Sequence, residues 1–394
     1  MGGCVVMLLL HVSDTHLGAS RPSKLREREL DYYDVFNEVV DIAVREHVDA
    51  VIHGGDFFDE PKPTPQTYLY AYRALRKLRE HGIEFLVVAG QHDQPKVAQL
   101  PPLRVLSEIG LLRLLAQDKP ETHIIKLHGG ELGVVAIPYL SPVTIGEYLK
   151  TIKVPETSKR ILLAHLLLKE LNMPSAHASL AELGADKYNY IALGDYHLKY
   201  ETKYMGIPSV YPGSTEAGEV LEASSERYVV LVDLSGSEAI VNWVKLNTPR
   251  KWIIVEAKSY MDIVLNTAAS RLEKYTKPPI LYVRVKSKLS EIDVKRIREY
   301  LNKLLSENKI LVYRVEVEIP SASGSEIKSI VEEALVPQTP TLDQVVYSVL
   351  GDRELAELVL NIVKSSESSE AVKFLVERVL EDEKVLNKIK KLVG

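Results

Sequence analysis

The chain has 394 residues, 46% of them hydrophobic and 26% charged, with a formal net charge of −5. That length supports two or three domains with sizeable cores, and the acidic balance requires any nucleic-acid contact to come from a local basic patch. Cys4 is the single cysteine, which excludes an internal disulfide framework and a thiolate metal cluster; no apolar run approaches the roughly 18 residues of a membrane span, so a cytoplasmic protein without membrane contact is expected.

In chain order, residues 5–248 alternate short β-branched apolar runs (5–12, 49–53, 84–89, 133–139, 160–165 and 190–193) with amphipathic helical stretches. Continuous apolar strands of this kind are buried on both faces, which predicts a layered α/β architecture. The first run leads straight into Asp14 and His16 and reads as a buried strand, not a signal peptide. A helix over 66–81 carries Leu69, Tyr72, Leu75 and Leu78 at helical spacing, with Arg73, Arg76, Lys77 and Arg79 between them. Beyond 211 the helical pattern fades, and 227–234 and 239–246, separated by Ser-Gly-Ser, predict a β-hairpin.

A domain boundary is expected near Thr248-Pro249. Residues 249–320 then read strand (252–257), helix (260–274), strand (280–286), helix (291–306), strand (309–319), a small α+β unit without histidine and so without a catalytic constellation of its own. The small polar residues from Ser321 predict a linker over 321–340. In 341–394, Thr341 and Gln344 form a capping box, and Leu342, Val345, Val346 and Val349 begin a set of short amphipathic helices. Such helices either pack back on the body or dock a partner.

Five clusters fall directly after apolar strands within 1–248: Asp14-x-His16, Gly55-Asp56-Phe57-Phe58-Asp59, Gly90-Gln91-His92-Asp93, His165, and Gly194-Asp195-Tyr196-His197. Strand C-termini are where open α/β sheets place their sites. Alone, each cluster is an ordinary turn or a core histidine; together they are a set of oxygen and imidazole donors for metal. Phosphodiester hydrolysis needs a nucleophile at neutral pH and a cationic clamp on phosphorus, which two ions about 3.5–4 Å apart supply. A carboxylate must bridge such ions, and Asp56 is the candidate. The oxygen share of the donor set favours manganese.

The order D-x-H, G-D-x-x-D, G-x-H-D resembles the calcineurin-like metallophosphoesterases. The runs 194–202 (GDYHLKYET) and 210–214 (VYPGS) narrow the resemblance to the meiotic-recombination-eleven nucleases, relatives of bacterial SbcD. The resemblance implies a phosphoesterase sandwich over 1–248, a capping domain over 249–320, and a helical segment over 341–394 that docks an SMC-like ATPase of the radiation-fifty type. It further implies one ion on Asp14, His16, Asp56 and His197, and a second on Asp56, Gln91, His165 and Asp195. His92 would contact the scissile phosphate and protonate the leaving oxygen, and Asp59 would orient that imidazole. Asp93 is expected to support its loop. The 66–81 stripe reads as core or as the interface of a homodimer.

The family pattern has asparagine where Gln91 stands and histidine where Asp195 stands. Gln91 lengthens the reach by roughly 1.5 Å, against a metal–ligand tolerance of about 0.2 Å; Asp195 exchanges a long neutral donor for a short anion. Both changes fall on the second ion, whose site is therefore expected to be weakened or retuned. The loop after Ser214 also lacks an arginine often seen in the family. Arg21 and Lys24 follow the first metal motif on a loop entering a helix, placed for DNA phosphates, whereas Arg26 and Arg28, interspersed with Glu27 and Glu29, read as a solvated face. The expected activity is a manganese-dependent nuclease, exonuclease in the 3′-to-5′ sense and endonuclease, acting on DNA ends in double-strand-break repair. The alternative is an end-binding and ATPase-docking scaffold whose turnover is lost or reduced through Gln91 and Asp195. A phosphodiesterase for small substrates would leave the capping unit and terminal helices without a purpose.

Overall fold

The computed structural model describes residues 6–95, 99–286, 291–321 and 324–334. The helical segment expected over 341–394 lies outside the described residues. In the body the elements run β1 (Leu8–Val12), α1 (Arg26–Arg45), β2 (Ala50–His53), α2 (Pro65–Glu80), β3 (Glu84–Val88), α3 (Pro102–Glu108), β4 (Arg113–Ala116), β5 (Glu121–Leu127) and β6 (Gly130–Ile137). They continue as α4 (Pro142–Tyr148), β7 (Lys159–His165), β8 (Tyr190–Gly194), β9 (Tyr200–Tyr204), β10 (Ile207–Tyr211), α5 (Val220–Ala223), β11 (Tyr228–Asp233) and β12 (Ile240–Lys245).

Two six-stranded sheets result, in the orders β12-β11-β1-β2-β3-β4 and β5-β6-β7-β8-β10-β9. Leu9, Ile52, Leu86 and Val88 of the first meet Val134, Ala136, Ile161 and Ala192 of the second in a shared core. Leu10, Val51 and Val87 turn the other way, onto Phe36, Val40 and Leu75 of α1 and α2; Val135, Leu162 and Leu193 pack beneath Leu168, Leu180 and Leu183. Each central strand is thus buried on both faces, which is why these strands are apolar without alternation. Because β1, β2 and β3 are mutually parallel, as are β6, β7 and β8, the strand ends that carry the five clusters share one edge of the sandwich. β11 and β12 form the expected hairpin, Asp233 opposite Ile240.

The cap sheet is β13 (Trp252–Ala257), β14 (Ile280–Val285), β15 (Val312–Ser321) and β16 (Gly324–Ala334), with α6 (Tyr260–Ala269) and α7 (Glu291–Ser306) between its strands. The helix expected over 260–274 stops at Ala269, because Arg271 takes a left-handed φ of 48° and a short 3-10 turn follows. The linker reading of 321–340 is corrected over its described part: Gly324–Ala334 is a strand antiparallel to β15, with Ser321 opposite Gly324. Small polar residues serve tight turns and linkers alike, so composition alone does not separate the two.

Arg28 also departs from expectation. It is completely buried, donating to Asp31 (2.7 Å), to the carbonyls of Arg21 (2.7 Å) and Ala217 (2.8 Å), and pairing with Glu216 at 3.4 Å. Arg250, at the entrance to the cap, donates to the same Asp31 at 3.0 Å, and Lys277 does so at 3.1 Å. The buried Asp31 carboxylate thus joins body and cap, together with buried Glu216, which accepts from the Arg250 backbone N–H at 3.0 Å. Among the described residues no helix is long and apolar enough to cross a membrane.

Candidate metal centre

The loops after β1 and β2 are fastened to each other: Asp14 N–H donates to Gly55 O and His16 N–H to Asp56 O, each at 3.0 Å. In these loops Asp14, His16 and Asp56 take positive φ, at 51°, 43° and 52°, and Asp195 after β8 does so at 87°. Each such residue costs about 1–3 kcal/mol, a strain that clusters at functional sites because the surrounding structure holds it there. Gly55 is required for space: a Cβ on it would stand 2.4 Å from His165 Nδ1.

The side chains converge on Asp56. Its Oδ2 lies 3.6 Å from His165 Nε2, 3.9 Å from His16 Nε2 and 4.0 Å from His92 Nε2. On one side, His16 Nε2 faces His197 Nε2 at 3.2 Å, and His197 Nε2 is 3.8 Å from Asp14 Oδ1. On the other, His165 Nε2 is 3.8 Å from Asp195 Oδ1. Among the described residues, three groups have ligand atoms within 4.8 Å of one another: Asp14, His16 and His197; Asp14, Asp56 and His165; and His16, Asp59 and His92. With metal–ligand bonds of about 2.0–2.2 Å, donors this far apart can share a cation. Asp56 Oδ2 and His165 Nε2 are buried and have no hydrogen-bond partner. Two facing orphans of complementary donor type fit a divalent ion, since burying them unpaired is costly.

The second ring nitrogens explain why the Nε2 atoms face inward. His165 Nδ1 donates to Gly54 O at 2.7 Å, and His197 Nδ1 to Glu222 Oε1 at 2.5 Å, while His16 Nδ1 lies 3.3 Å from Asp59. Partners of this kind fix the tautomer and ring orientation of metal-binding histidines. Electrostatics follow the same geometry. Burial lowers the basicity of His165, but the Asp56 charge beside it wins and holds its pKa well above the ordinary value, while His165 in turn holds Asp56 well below the carboxylate range against burial. Burial likewise opposes protonation of His197, but Glu222 and Asp14 raise its pKa to about 9. Metal must displace these protons, so affinity falls with acidification.

Asp59 acts differently from expectation. Its main-chain carbonyl accepts from His92 Nδ1 at 2.7 Å, whereas its carboxylate turns to His16 and to Arg21, 2.7 Å away. Asp93 supports its loop as expected, accepting from the backbone N–H groups of Phe57, Phe58 and Gly90; burial and the nearby Asp56 push its pKa up to about 7 against these bonds. Gln91 is exposed and lines a cleft of about 970 Å³ with Arg21, Lys62, His92 and Tyr139. Lys24 is exposed and outside that cleft's lining.

Glu222 was not legible beforehand. It lies on the short α5, 25 residues from the histidine it holds, and also accepts from Gly218 N at 2.6 Å. Glu222→Gln is expected to weaken divalent-ion affinity about 10–100-fold, measured by calorimetry on metal-stripped protein; unchanged affinity would reduce Glu222 to a helix-capping role.

A double-sheet sandwich that gathers carboxylates and imidazoles at one edge is the arrangement of a calcineurin-like phosphoesterase, and the calcineurin-like phosphoesterase family model matches residues 7–206. The DNA double-strand break repair protein Mre11 of Saccharolobus solfataricus is 30% identical over 392 residues, covering 94% of this chain and 98% of its own. Mre11 of Sulfolobus acidocaldarius is 30% identical over 401 residues, covering 98% and 99%. A dimetal phosphatase from Danio rerio aligns with 60% of this chain and 98% of its own at 11% identity and a TM-score of 0.37, too loose a likeness to add to the assignment. The chain belongs to the calcineurin-like phosphoesterases and, within them, to the family of the Mre11 DNA double-strand break repair proteins.

Proposed function

We propose that this chain is a manganese-dependent DNA nuclease that acts at DNA ends in double-strand-break repair. The observation that carries the reading is Asp56 Oδ2, buried and unpartnered among the imidazoles of His16, His92 and His165. One ion would be held by Asp14, His16, Asp56 and His197, the other by Asp56, His165 and Asp195 with Gln91. When bound, the pair supplies Lewis acidity and positive charge against the transferring phosphoryl group. Asp56 offers one oxygen toward these donors while its Oδ1 accepts the His92 N–H at 2.8 Å, which ties the His92 loop to the centre. His92, anchored through Nδ1, keeps a half-exposed ring with Nε2 free to bind the phosphate and give a proton to the leaving oxygen. Arg21 in the cleft and exposed Lys24 supply phosphate contacts. Exonuclease action in the 3′-to-5′ sense, endonuclease action, and docking of an SMC-like ATPase through 341–394 rest on family likeness. The homodimer reading is supported by the exposed Leu69 and Tyr72 on α2.

A second reading, an end-binding and ATPase-docking scaffold with reduced turnover, draws on Gln91 standing exposed at the cleft and on the short Asp195 carboxylate. One set of assays separates them. The native chain is expected to cut DNA in manganese, His92→Ala to lose cutting while still binding metal, and calorimetry to give one tight and one weaker site. Cutting that emerges only in Gln91→Asn with Asp195→His would establish the scaffold instead.

A further inference from the structure

A second cavity, of about 390 Å³, opens between body and cap. Arg21, Gly218 and Leu221 wall it from the body; Trp252, Tyr282 and Arg314 wall it from the cap sheet. The sheet's strand alternation produces this wall. Val255, Val283 and Val315 point into the helix-covered core. The alternate residues Trp252, Ile280 and Val312 lie in one row against Leu25 of the body, and Tyr282 and Arg314 form the next row out. Arg21 is the partition between this cavity and the metal cleft, since it lines both. Its Nη2 donates to the carboxylate of Asp59, whose carbonyl holds His92.

The chemistry of the walls selects a ligand class. Arg21 is committed to Asp59 at 2.7 Å and Arg314 to Glu316 at 3.0 Å, and Glu219 stands at the rim. On the cavity side a phosphate would find Arg314 paired and acidic groups beside it, while the charged end of Arg21 turns to Asp59 on the side of the metal cleft. What remains is an aromatic and aliphatic surface, three N–H groups buried behind it without hydrogen-bond partners (Trp252 Nε1, Arg21 Nε and Arg314 Nε), and the Glu316 carboxylate, which pairs with Arg314 and accepts from Tyr282. A flat, neutral heterocycle with donors and acceptors on its edge meets all three features, and the volume lies within the range of small-ligand pockets.

We propose that this cavity receives a nucleobase of the DNA strand being cut, unstacked from its neighbours and next to the phosphate at the metal centre. The proposal rests on the nuclease reading above. Extruding a base costs least when it is unpaired or mismatched, so the pocket favours frayed and single-stranded ends over intact duplex.

The test removes single bases. Single-stranded oligonucleotides carrying one abasic tetrahydrofuran residue at successive positions are titrated against the full chain in chelator, with binding read by anisotropy and cleavage mapped separately in manganese. One position beside the cut phosphate is expected to lose about tenfold in affinity, the scale of one base on an aromatic wall, and 2-aminopurine there should change its fluorescence on binding. In Trp252→Ala that penalty should vanish, so that intact and abasic strands bind equally. Leu221→Trp, which places an indole at the rim from a side chain 70% exposed, should abolish it too without touching the core, and serves if Trp252→Ala fails to fold. Equal binding at every position, or a penalty that survives the substitutions, overturns the pocket. Cutting without any position-specific base dependence removes the pocket and leaves the nuclease; the base dependence without cutting leaves the pocket and removes the nuclease.

Discussion

Replacing Gly90 by alanine is expected to abolish metal-dependent phosphodiester hydrolysis while leaving both sheets of the body folded. A Cβ at this position would stand 2.1 Å from Asp56 Oδ1 and 2.3 Å from the Asp56 backbone nitrogen. Neither atom can yield without breaking a bond that holds the centre. The Asp56 backbone is held at φ 52° by the His16 N–H donated to its carbonyl, and Oδ1 already accepts from His92 N–H. The carboxylate proposed to bridge the ions must therefore move, and a displacement of about 1 Å in a catalytic group costs about a hundredfold in rate. Overpacking adds a stability loss of about 1–3 kcal/mol. Activity on a small chromogenic diester, metal calorimetry and urea unfolding read the three effects; full activity in the variant would show that Asp56 does not occupy the shared position.

Asp31→Ala should be the most destabilising single change at the junction of body and cap. The substitution leaves the buried Arg28 guanidinium with Glu216 as its remaining carboxylate and the buried Arg250 guanidinium bonded to the Pro278 carbonyl, without a carboxylate. Breaking a buried ion pair by removing one partner costs about 3–5 kcal/mol, because an uncompensated charge remains. The expected result is a lowered urea midpoint together with faster proteolysis near residue 250. Acid should discriminate the variant further. Burial alone would raise the Asp31 carboxyl, but Arg250, Arg28 and Lys277 outweigh it and hold the carboxyl below its ordinary value. A depressed folded pKa gives stability that is full above the unfolded value of about 3.9 and is lost as pH falls through the folded one. The native chain should thus lose stability below about pH 4 more steeply than Asp31→Ala; parallel curves would deny the network its role.

Much of the candidate site was legible because its proposed ligands follow strands directly. Asp14, Asp56, His165 and Asp195 each sit within a few residues of an apolar run, and parallel pairing then carries them to one edge. Arg28 was not legible: among Glu27 and Glu29 it has the local pattern of a solvated helix face, and its partners Glu216 and the Ala217 carbonyl lie far along the chain. Asp59 was legible as a neighbour of His92 but not in its chemistry, since either its carboxylate or its carbonyl could have met the ring.

Sequence alone was enough for what depends on periodicity and proximity: the buried strands, the β11–β12 hairpin, the alternating strands and helices of the cap, and the order of the donor clusters. Tertiary structure decided what depends on contacts between distant segments: Glu222 behind His197, Asp31 between body and cap, and a hairpin where a linker was expected from Ser321. The physical reason is range. A strand's burial is written in its own run of apolar residues, whereas the partner of a buried charge is chosen only when the folded chain brings the two together.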